Sequence, residues 1–383
     1  MANKMTENIN EKYRSAAEII NKAGEFAYPI TDTLIEILKH NIDEEDLDLI
    51  FGFANQISQT MEQLKKSTGL SVDHILKKVD SLAKKGVIFN QPNRQGIMVY
   101  RLLPVARQFE YTFMKKLEDS VEFRTLADLY YKLDKEIETL IQANFDKFAT
   151  TLDKRLPIDR TVLTSFVNKE TGKDIEIIID KKIDVPTETV IPSQQIEEII
   201  NKFEDIAVGN CFCRQHKDLL GDPCKQTKNR ENCFTLGKSA RHTSEQGFSR
   251  LISKEEALKI LRETKEDGMV HKAYHLHSDI TKEEVAICNC CSCCCLNNRN
   301  LMIGPVVNAN NYLAKIKEDE CIGCGNCVDN CHNSAISLND ENIAEVNEKY
   351  CIGCGVCSYF CPENAISMIE GPRIVRMLPP RRK

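Results

Sequence analysis

The sequence lacks tryptophan and has few aromatic residues, which make up 7% of its 383 positions. No apolar run approaches the roughly 18 residues that a membrane-spanning helix needs. The first residues are polar and contain no apolar core of a secretory signal peptide. These absences argue against a membrane or exported protein, and we expect a cytoplasmic chain without a membrane span.

Nucleotide-binding signals are also missing. The chain contains no glycine-rich dinucleotide fingerprint, no phosphate-binding loop and no paired catalytic carboxylates. This argues against a self-contained dehydrogenase that uses a flavin or a nicotinamide. The formal net charge of −6 gives no overall attraction to nucleic acid, so DNA binding would require a local basic surface.

Cysteine, in contrast, is abundant. The chain has 18 cysteines at spacings typical of metal clusters, which favours a reducing, oxygen-poor compartment over a disulfide-forming one. Near the C-terminus they form two C-x2-C-x2-C-x3-C runs. The first run is Cys321, Cys324, Cys327 and Cys331, and the second is Cys351, Cys354, Cys357 and Cys361.

The two runs belong to a duplicated half-domain. The residues from Ala335 to Leu338 match those from Ala365 to Met368 at the same offset from their runs. His332 follows the last cysteine of the first run, whereas Pro362 follows that of the second. This difference removes no candidate ligand.

The run spacing resembles that of bacterial-type dicluster ferredoxins, which hold two [4Fe-4S] clusters, and we assign residues 312–372 to such a domain. The resemblance implies that each cluster takes three cysteines from one run and the fourth from the other. The first cluster would have Cys321, Cys324, Cys327 and Cys361, and the second Cys351, Cys354, Cys357 and Cys331. Zinc and disulfides are the alternatives, but zinc sites usually take four ligands rather than eight in two interlocked sets.

The N-terminal part is predicted to be a leader helix over residues 1–29, followed by a separate domain over residues 30–105. In that domain, a turn at Gly69 and a helix cap at Ser71 separate two amphipathic helices. Two short strands, Val87–Phe89 and Ile97–Leu102, then form a hairpin. This order resembles the winged-helix fold.

The winged-helix resemblance implies two possible roles. In the first, the helix from Ser71 to Lys85 enters the DNA major groove and Arg94 contacts a phosphate. In the second, the domain packs against a protein. The acidic residues at 43–48 and the modest number of lysines make nucleic acid the less favoured partner.

Residues 106–150 are predicted to be helical, with aromatic side chains such as Phe109 and Phe113 in the core. Residues 151–205 are predicted to be a linker with short strands and a helix. Residues 373–383 form a basic tail, which either docks to an acidic partner or is disordered, and we expect disorder.

Residues 206–300 form a cysteine-rich module in which two groups of cysteines flank a capped helix. Two further [4Fe-4S] clusters, one cluster with a zinc site, and a thiol relay are the three interpretations, and soft thiolate ligands favour iron–sulfur. The candidate ligands are Cys211, Cys213, Cys224 and Cys233 for one site and Cys288, Cys290, Cys291 and Cys294 for another, although mixed quartets are equally compatible with the sequence.

Three other residues near these cysteines have several possible roles. Arg214 could contact a cluster sulfide, bind an anionic substrate or form a surface salt bridge. We expect His271 and His275 to be packed or solvent-facing rather than ligands. The "CFCR" and "ICNCCSCCC" segments resemble those of ferredoxin-fusion proteins of anaerobes, which implies no particular reaction.

The sequence therefore predicts an α+β multidomain protein with a helical, winged-helix-containing N-terminal part, a cysteine-rich iron–sulfur module and a C-terminal ferredoxin-like domain. We expect it to pass low-potential electrons as a subunit or adaptor of a larger redox system, with a redox protein as its partner. The alternatives are an oxidoreductase with its active site in the cysteine-rich module, and a DNA-binding regulator that responds to cluster state.

Overall fold

The computed structural model describes residues 2–24, 27–115, 119–157, 159–179, 195–276, 279–296 and 306–382. The chain divides into two compact units. The first consists of Met1–Leu140, Gly209–Pro223 and Arg241–Arg250, and the second of Ile141–Val208, Cys224–Ala240 and Leu251–Lys383. The predicted module at 206–300 contributes residues to both units. No helix in the described part of the chain is long and apolar enough to cross a membrane.

The helices lie mainly in the first half of the chain. Within the described residues they are α1 (Ala2–Asn21), α2 (Asp32–Asn41), α3 (Leu47–Gly52), α4 (Met61–Thr68), α5 (Val72–Lys84), α6 (Val105–Met114), α7 (Val121–Ala143), α8 (Phe145–Thr151), α9 (Ile196–Asn201), α10 (Phe212–Leu219), α11 (Lys238–Glu245) and α12 (Lys254–Glu266). Two short helices, Asn326–Asp329 and Val356–Tyr359, follow in the C-terminal region.

The strands form three sheets within the described residues. They are β1 (Ser58–Thr60), β2 (Ile88–Pro92), β3 (Met98–Leu102), β4 (Asp159–Val162), β5 (Ile177–Ile179), β6 (Ile206–Asn210), β7 (Glu231–Leu236), β8 (Arg250–Leu251), β9 (Val270–His275), β10 (Glu284–Cys290), β11 (Val306–Ile316), β12 (Ile336–Leu338), β13 (Ala344–Val346) and β14 (Ile366–Met377).

In the first unit, α4 and α5 are delimited by local signals in the sequence. Thr60 forms a capping box with Gln63 at the start of α4, and Gly69 ends that helix with φ 72°, a left-handed conformation that favours glycine. Ser71 caps α5, whose buried side chains include Ile75 and Val79. Strands β2 and β3 then pair antiparallel, and β1 joins β3 in the order β1-β3-β2. The assignment of this domain to the winged-helix family stays a prediction.

Two lysines of α5, and Lys85 directly after it, lie beside carboxylates of the same unit. The pairs and their N–O distances are Lys78 with Asp48 at 3.1 Å, Lys84 with Asp80 at 2.7 Å, and Lys85 with Asp43 at 2.8 Å. A lysine that already has an anionic neighbour gains less from a phosphate, because the two anions compete for it. This charge pairing weakens the case for DNA binding by α5.

Aromatic side chains form part of the core of the first unit and hold α10 in place. The ring of Phe109 lies 5.1 Å from Phe113, 4.9 Å from Tyr130 and 5.1 Å from His216 of α10. His216 Nε2 donates a hydrogen bond of 2.9 Å to the carbonyl oxygen of Ala127. These aromatic residues pack in the core, as the helical spacing predicted.

In the second unit, β11 and β14 pair antiparallel from Val306 opposite Met377 to Ile316 opposite Ile366. They belong to a sheet with the order β5-β14-β11-β4-β9-β10-β7-β6-β8 among the described strands. The residues between β11 and β14 contain both cysteine runs and the small β12–β13 hairpin. The segment at 180–194, within the predicted linker, lies outside the described residues.

The prediction of a disordered tail from residue 373 is wrong for its first part. β14 continues to Met377, and the guanidinium group of Arg373 donates hydrogen bonds to the carbonyl oxygens of Tyr312, Cys351 and Glu348. Arg381 lies 3.1 Å from the carboxylate of Asp146. Backbone pairing with β11 orders residues that composition alone assigns to a tail.

We predict that stability of the first unit falls below neutral pH because of His242. This imidazole is fully buried beside the rings of Phe89, Tyr111 and Phe248, and burial lowers its pKa from 6.5 to about 4. Between these two values the unfolded chain binds a proton that the folded chain does not, so acidification favours unfolding. From pH 7 to pH 5 the loss should be about 2 kcal/mol.

Thermal unfolding followed by circular dichroism can check this pH dependence. The variant His242→Phe keeps an aromatic ring among aromatic neighbours and removes the titrating group. Its melting temperature should decrease less between pH 7 and pH 5 than that of the wild type. Equal decreases in the two proteins would contradict the assignment to His242.

Candidate metal centres

The first candidate site is a cavity in the second unit. Its cysteines are the four that the resemblance assigned to the first cluster, namely Cys321, Cys324, Cys327 and Cys361. The first three precede or lie in the short helix Asn326–Asp329, and the fourth follows the short helix Val356–Tyr359. The two cysteine runs therefore contribute jointly to one cavity.

The second candidate site is another cavity in the second unit. Its cysteines are Cys331, Cys351, Cys354 and Cys357, which are the four assigned to the second cluster. His332, which stands where the other half has Pro362, also lines this cavity. Its Nε2 donates a hydrogen bond of 2.7 Å to the carbonyl oxygen of Gly268.

Backbone N–H groups point at sulfur in corresponding positions of the two halves. The amide of Ala335 donates to Cys331 Sγ at 3.1 Å, and the amide of Ala365 donates to Cys361 Sγ at 3.3 Å. Such bonds stabilise negative charge on sulfur and tune the reduction potential of an iron–sulfur cluster. The duplicated sequence thus produces a duplicated hydrogen bond.

Glycine is required where the cysteine loops pass close to other backbone segments. Gly353 has φ +63°, and a Cβ built there would lie 2.1 Å from the carbonyl oxygen of Tyr312. Gly323 has φ +67°, and its Cβ would lie 2.3 Å from the carbonyl oxygen of Asn342. No larger residue fits either position without moving the backbone.

The protein surroundings disfavour free thiolates in these cavities. Burial raises the pKa of Cys327 to about 11 and that of Cys354 to about 12. The pKa of Cys357 is also raised well above its ordinary value by burial. Thiolates here therefore need a cationic partner, and a cluster of iron ions supplies one. The donor set, the N–H groups and the two separate cavities fit two [4Fe-4S] clusters.

The cysteine-rich module contains a third, much more compact site. The sulfur atoms of Cys224, Cys291, Cys293 and Cys294 all lie within 4.8 Å of one another. This quartet takes Cys224 from the first cysteine group and its other three members from the second. The sequence allowed such a combination, but it was not the predicted ligand set. It includes Cys293, which was not among the predicted ligands. Strands β9 and β10, which follow α12, bring the second group of cysteines back to Cys224.

Three further cysteines of the module, Cys233, Cys288 and Cys290, lie on its strands, and Cys295 follows the turn after β10. Cys288 of β10 is directly opposite Cys233 of β7, and their sulfur atoms are 3.9 Å apart. The thiol of Cys290 contacts those of Cys288 and Cys295, and these contacts raise its pKa. Cys295 was not predicted as a ligand, because nothing in the sequence shows which of several adjacent cysteines binds a metal.

Cys211 and Cys213 lie in the first unit, at the start of α10. Their assignment as metal ligands stays a prediction. Arg214 has 0% exposure, so its interpretation as a surface salt bridge is wrong.

His271 and His275 lie on strand β9 and both are buried. Nδ1 of His271 is 2.6 Å from the side-chain oxygen of Asn289, and Nδ1 of His275 is 2.7 Å from the carbonyl oxygen of Lys282. These contacts match the interpretation of packed histidines.

We predict that Gly353→Ala removes the cluster from the second cavity, because the new Cβ collides with the backbone of β11. Iron analysis after anaerobic purification should show a loss of about four iron atoms per chain. Gly172→Ala is the matched control, since Gly172 also has a positive φ of +67° but no atom within 4 Å of its Cβ position. Full iron content in Gly353→Ala would contradict the prediction.

Comparison with known proteins points to the same C-terminal region. The chain is 58% identical over 31 residues to a "Probable ferredoxin" of Methanosarcina thermophila, a stretch that covers 8% of this chain and 53% of that protein. The chain thus spans about half the length of this curated relative. No solved structure matches the chain significantly. Residues 314–368 match the model of the 4Fe-4S dicluster domain family, and this region of the chain is therefore a 4Fe-4S dicluster domain.

Proposed function

We propose that this protein is an electron carrier that passes single electrons between two [4Fe-4S] clusters. The observation that carries the proposal is the exchange of one cysteine between the two runs. Cys361 reaches the cavity of the first run, and Cys331 reaches that of the second. The bound clusters would supply the one-electron chemistry, and the chain would hold them side by side.

A shared core supports close placement of the two clusters. Cys327 from the first cavity and Cys351 and Cys357 from the second pack in one hydrophobic cluster, together with Cys361 and Tyr312. Apolar, tightly packed surroundings limit the movement of water and polar groups when a cluster changes charge. Adjacent clusters in such surroundings suit repeated one-electron transfer.

The two cavities differ in their access to solvent, which supports a direction for electron flow. Ile322 beside the first cavity is 64% exposed, whereas the corresponding Ile352 beside the second is 3% exposed. Cys324 is exposed as well. The first cluster is therefore the proposed contact for a redox partner protein, and the second is the proposed internal cluster.

The second cavity borders the cysteine-rich module. Ile352 and Val356 pack in the same hydrophobic cluster as Cys290 and Cys295. In the proposed role, electrons that enter at the first cluster pass through the second toward this module. The protein would then act as a subunit or adaptor of a larger redox system.

The packing of the second cavity against the cysteine-rich module also favours the alternative of an oxidoreductase with its active site in the module. Cysteines beside an electron-transfer cluster could belong to a cluster with an open iron position. Electron paramagnetic resonance would then change when substrate is added. The regulator alternative has less support, because two lysines of α5 and Lys85 directly after it already pair with carboxylates.

The proposed function predicts that Cys324→Ala and Cys354→Ala each slow electron transfer to a protein acceptor at least about tenfold, since each removes a ligand of one cluster. Stopped-flow reduction of cytochrome c by the photoreduced protein measures this rate. Ile374→Ser changes a half-exposed side chain of β14 outside both cavities and serves as the control. Wild-type rates in both cysteine variants would overturn the electron-carrier proposal.

A further inference from the structure

The compact quartet of the cysteine-rich module has regular sulfur spacings. Cys224 Sγ lies 3.8 Å from Cys291 Sγ and 3.6 Å from Cys293 Sγ, and the sulfur atoms of Cys293 and Cys294 are 3.6 Å apart. Among the described residues, no other group of three or more Cys, His, Asp or Glu ligand atoms lies within 4.8 Å of one another. The eight C-terminal cysteines are therefore more widely spaced.

These spacings distinguish a single ion from a cluster. Four sulfurs bonded to one ion at about 2.3 Å stand at the corners of a tetrahedron with edges of about 3.8 Å. The four cysteine sulfurs around a [4Fe-4S] cube are roughly 6 Å apart, because each is bonded to a different iron. The sulfur–sulfur distances of the quartet match those around a single ion and are too short for a [4Fe-4S] cluster.

The surroundings of the quartet suit a closed metal site. Cys291 and Cys294 are each 1% exposed and pack against the fully buried Met269. The backbone amides of Thr227 and Lys225 donate hydrogen bonds to the sulfurs of Cys224 and Cys293. Such N–H groups partly offset the charge of four thiolates around a dication.

We propose that Cys224, Cys291, Cys293 and Cys294 bind one tetrahedral thiophilic ion, either zinc or a single iron. Four thiolates and no remaining position for solvent or substrate are typical of structural rather than catalytic sites. The ion joins the turn at Cys224 to the turn that follows β10. This site is distinct from the two C-terminal cavities and does not depend on the electron-carrier role.

The ion has a structural consequence for its neighbours. The turn after Cys224 is tied to the end of α12, since Thr227 Oγ1 donates to the carboxylate of Asp267 at 2.6 Å. Gln226 Nε2 donates to the carbonyl oxygens of Asp267 and Gly268 at 3.0 and 3.2 Å. Gly268 in turn accepts from His332, which lines the second cavity. The ion therefore anchors a turn that is linked by hydrogen bonds to that cavity.

Metal and sulfide analysis of the full-length protein, purified without oxygen, tests the proposal. Cys293→Ala should lose one zinc or one iron per chain and retain its acid-labile sulfide. Ser292→Ala is the matched control, because Ser292 is an exposed residue between two of the ligands. Loss of about four irons with their sulfides would mean a [4Fe-4S] cluster and overturn the proposal, as would no loss of metal.

A measurement on the wild type covers the case in which Cys293→Ala does not fold. Metal-depleted protein with reconstituted C-terminal clusters is titrated with Co²⁺, whose visible absorption is intense in tetrahedral thiolate sites. One tetrahedral Co²⁺ per chain, displaced by Zn²⁺, is the expected result. Absence of a tetrahedral thiolate spectrum would overturn the proposal.

Discussion

The antiparallel pairing of β11 and β14 is the constraint on which the C-terminal sites depend. It brings Ile316 opposite Ile366, so the whole segment between them must leave the sheet and return to it at one place. Both cysteine runs lie in that segment. Because the segment starts and ends at the same edge, the second run folds back against the first, and Cys331 and Cys361 reach each other's cavities. The same pairing makes Arg373 and Arg376 part of the sheet.

The duplicated halves have diverged where they meet different surroundings. Their sulfur-directed N–H groups are equivalent, at Ala335 and Ala365. Their rims are not, since Ile322 is exposed and Ile352 is buried against the cysteine-rich module. The first half also has His332 where the second half has Pro362, and the imidazole of His332 donates a hydrogen bond to the carbonyl oxygen of Gly268, just after α12. Divergence of this kind leaves one rim of the domain exposed and packs the other against the cysteine-rich module.

The sequence predicted most where local spacing determines structure. The cysteine runs fix which residues line each cavity, and the caps at Ser71 and Gly69 fix the helices around them. The sequence predicted least where the pairing of strands far apart in the chain decides which side chains come together. The grouping of Cys224 with Cys291, Cys293 and Cys294 depends on how β9 and β10 return along the sheet, and six closely spaced cysteines contain no local signal for that register. The ordering of Arg373 by β11 is a second example.

Electron paramagnetic resonance of the fully reduced protein tests the central claim most directly, because it detects the clusters and their proximity together. Two adjacent [4Fe-4S] clusters should give about two electron spins per chain, with a spectrum broadened by coupling between them. The Cys354→Ala variant should give about one spin and a sharper, uncoupled spectrum. Two uncoupled signals in the wild type, or less than one spin per chain, would contradict a C-terminal domain that passes electrons between neighbouring clusters.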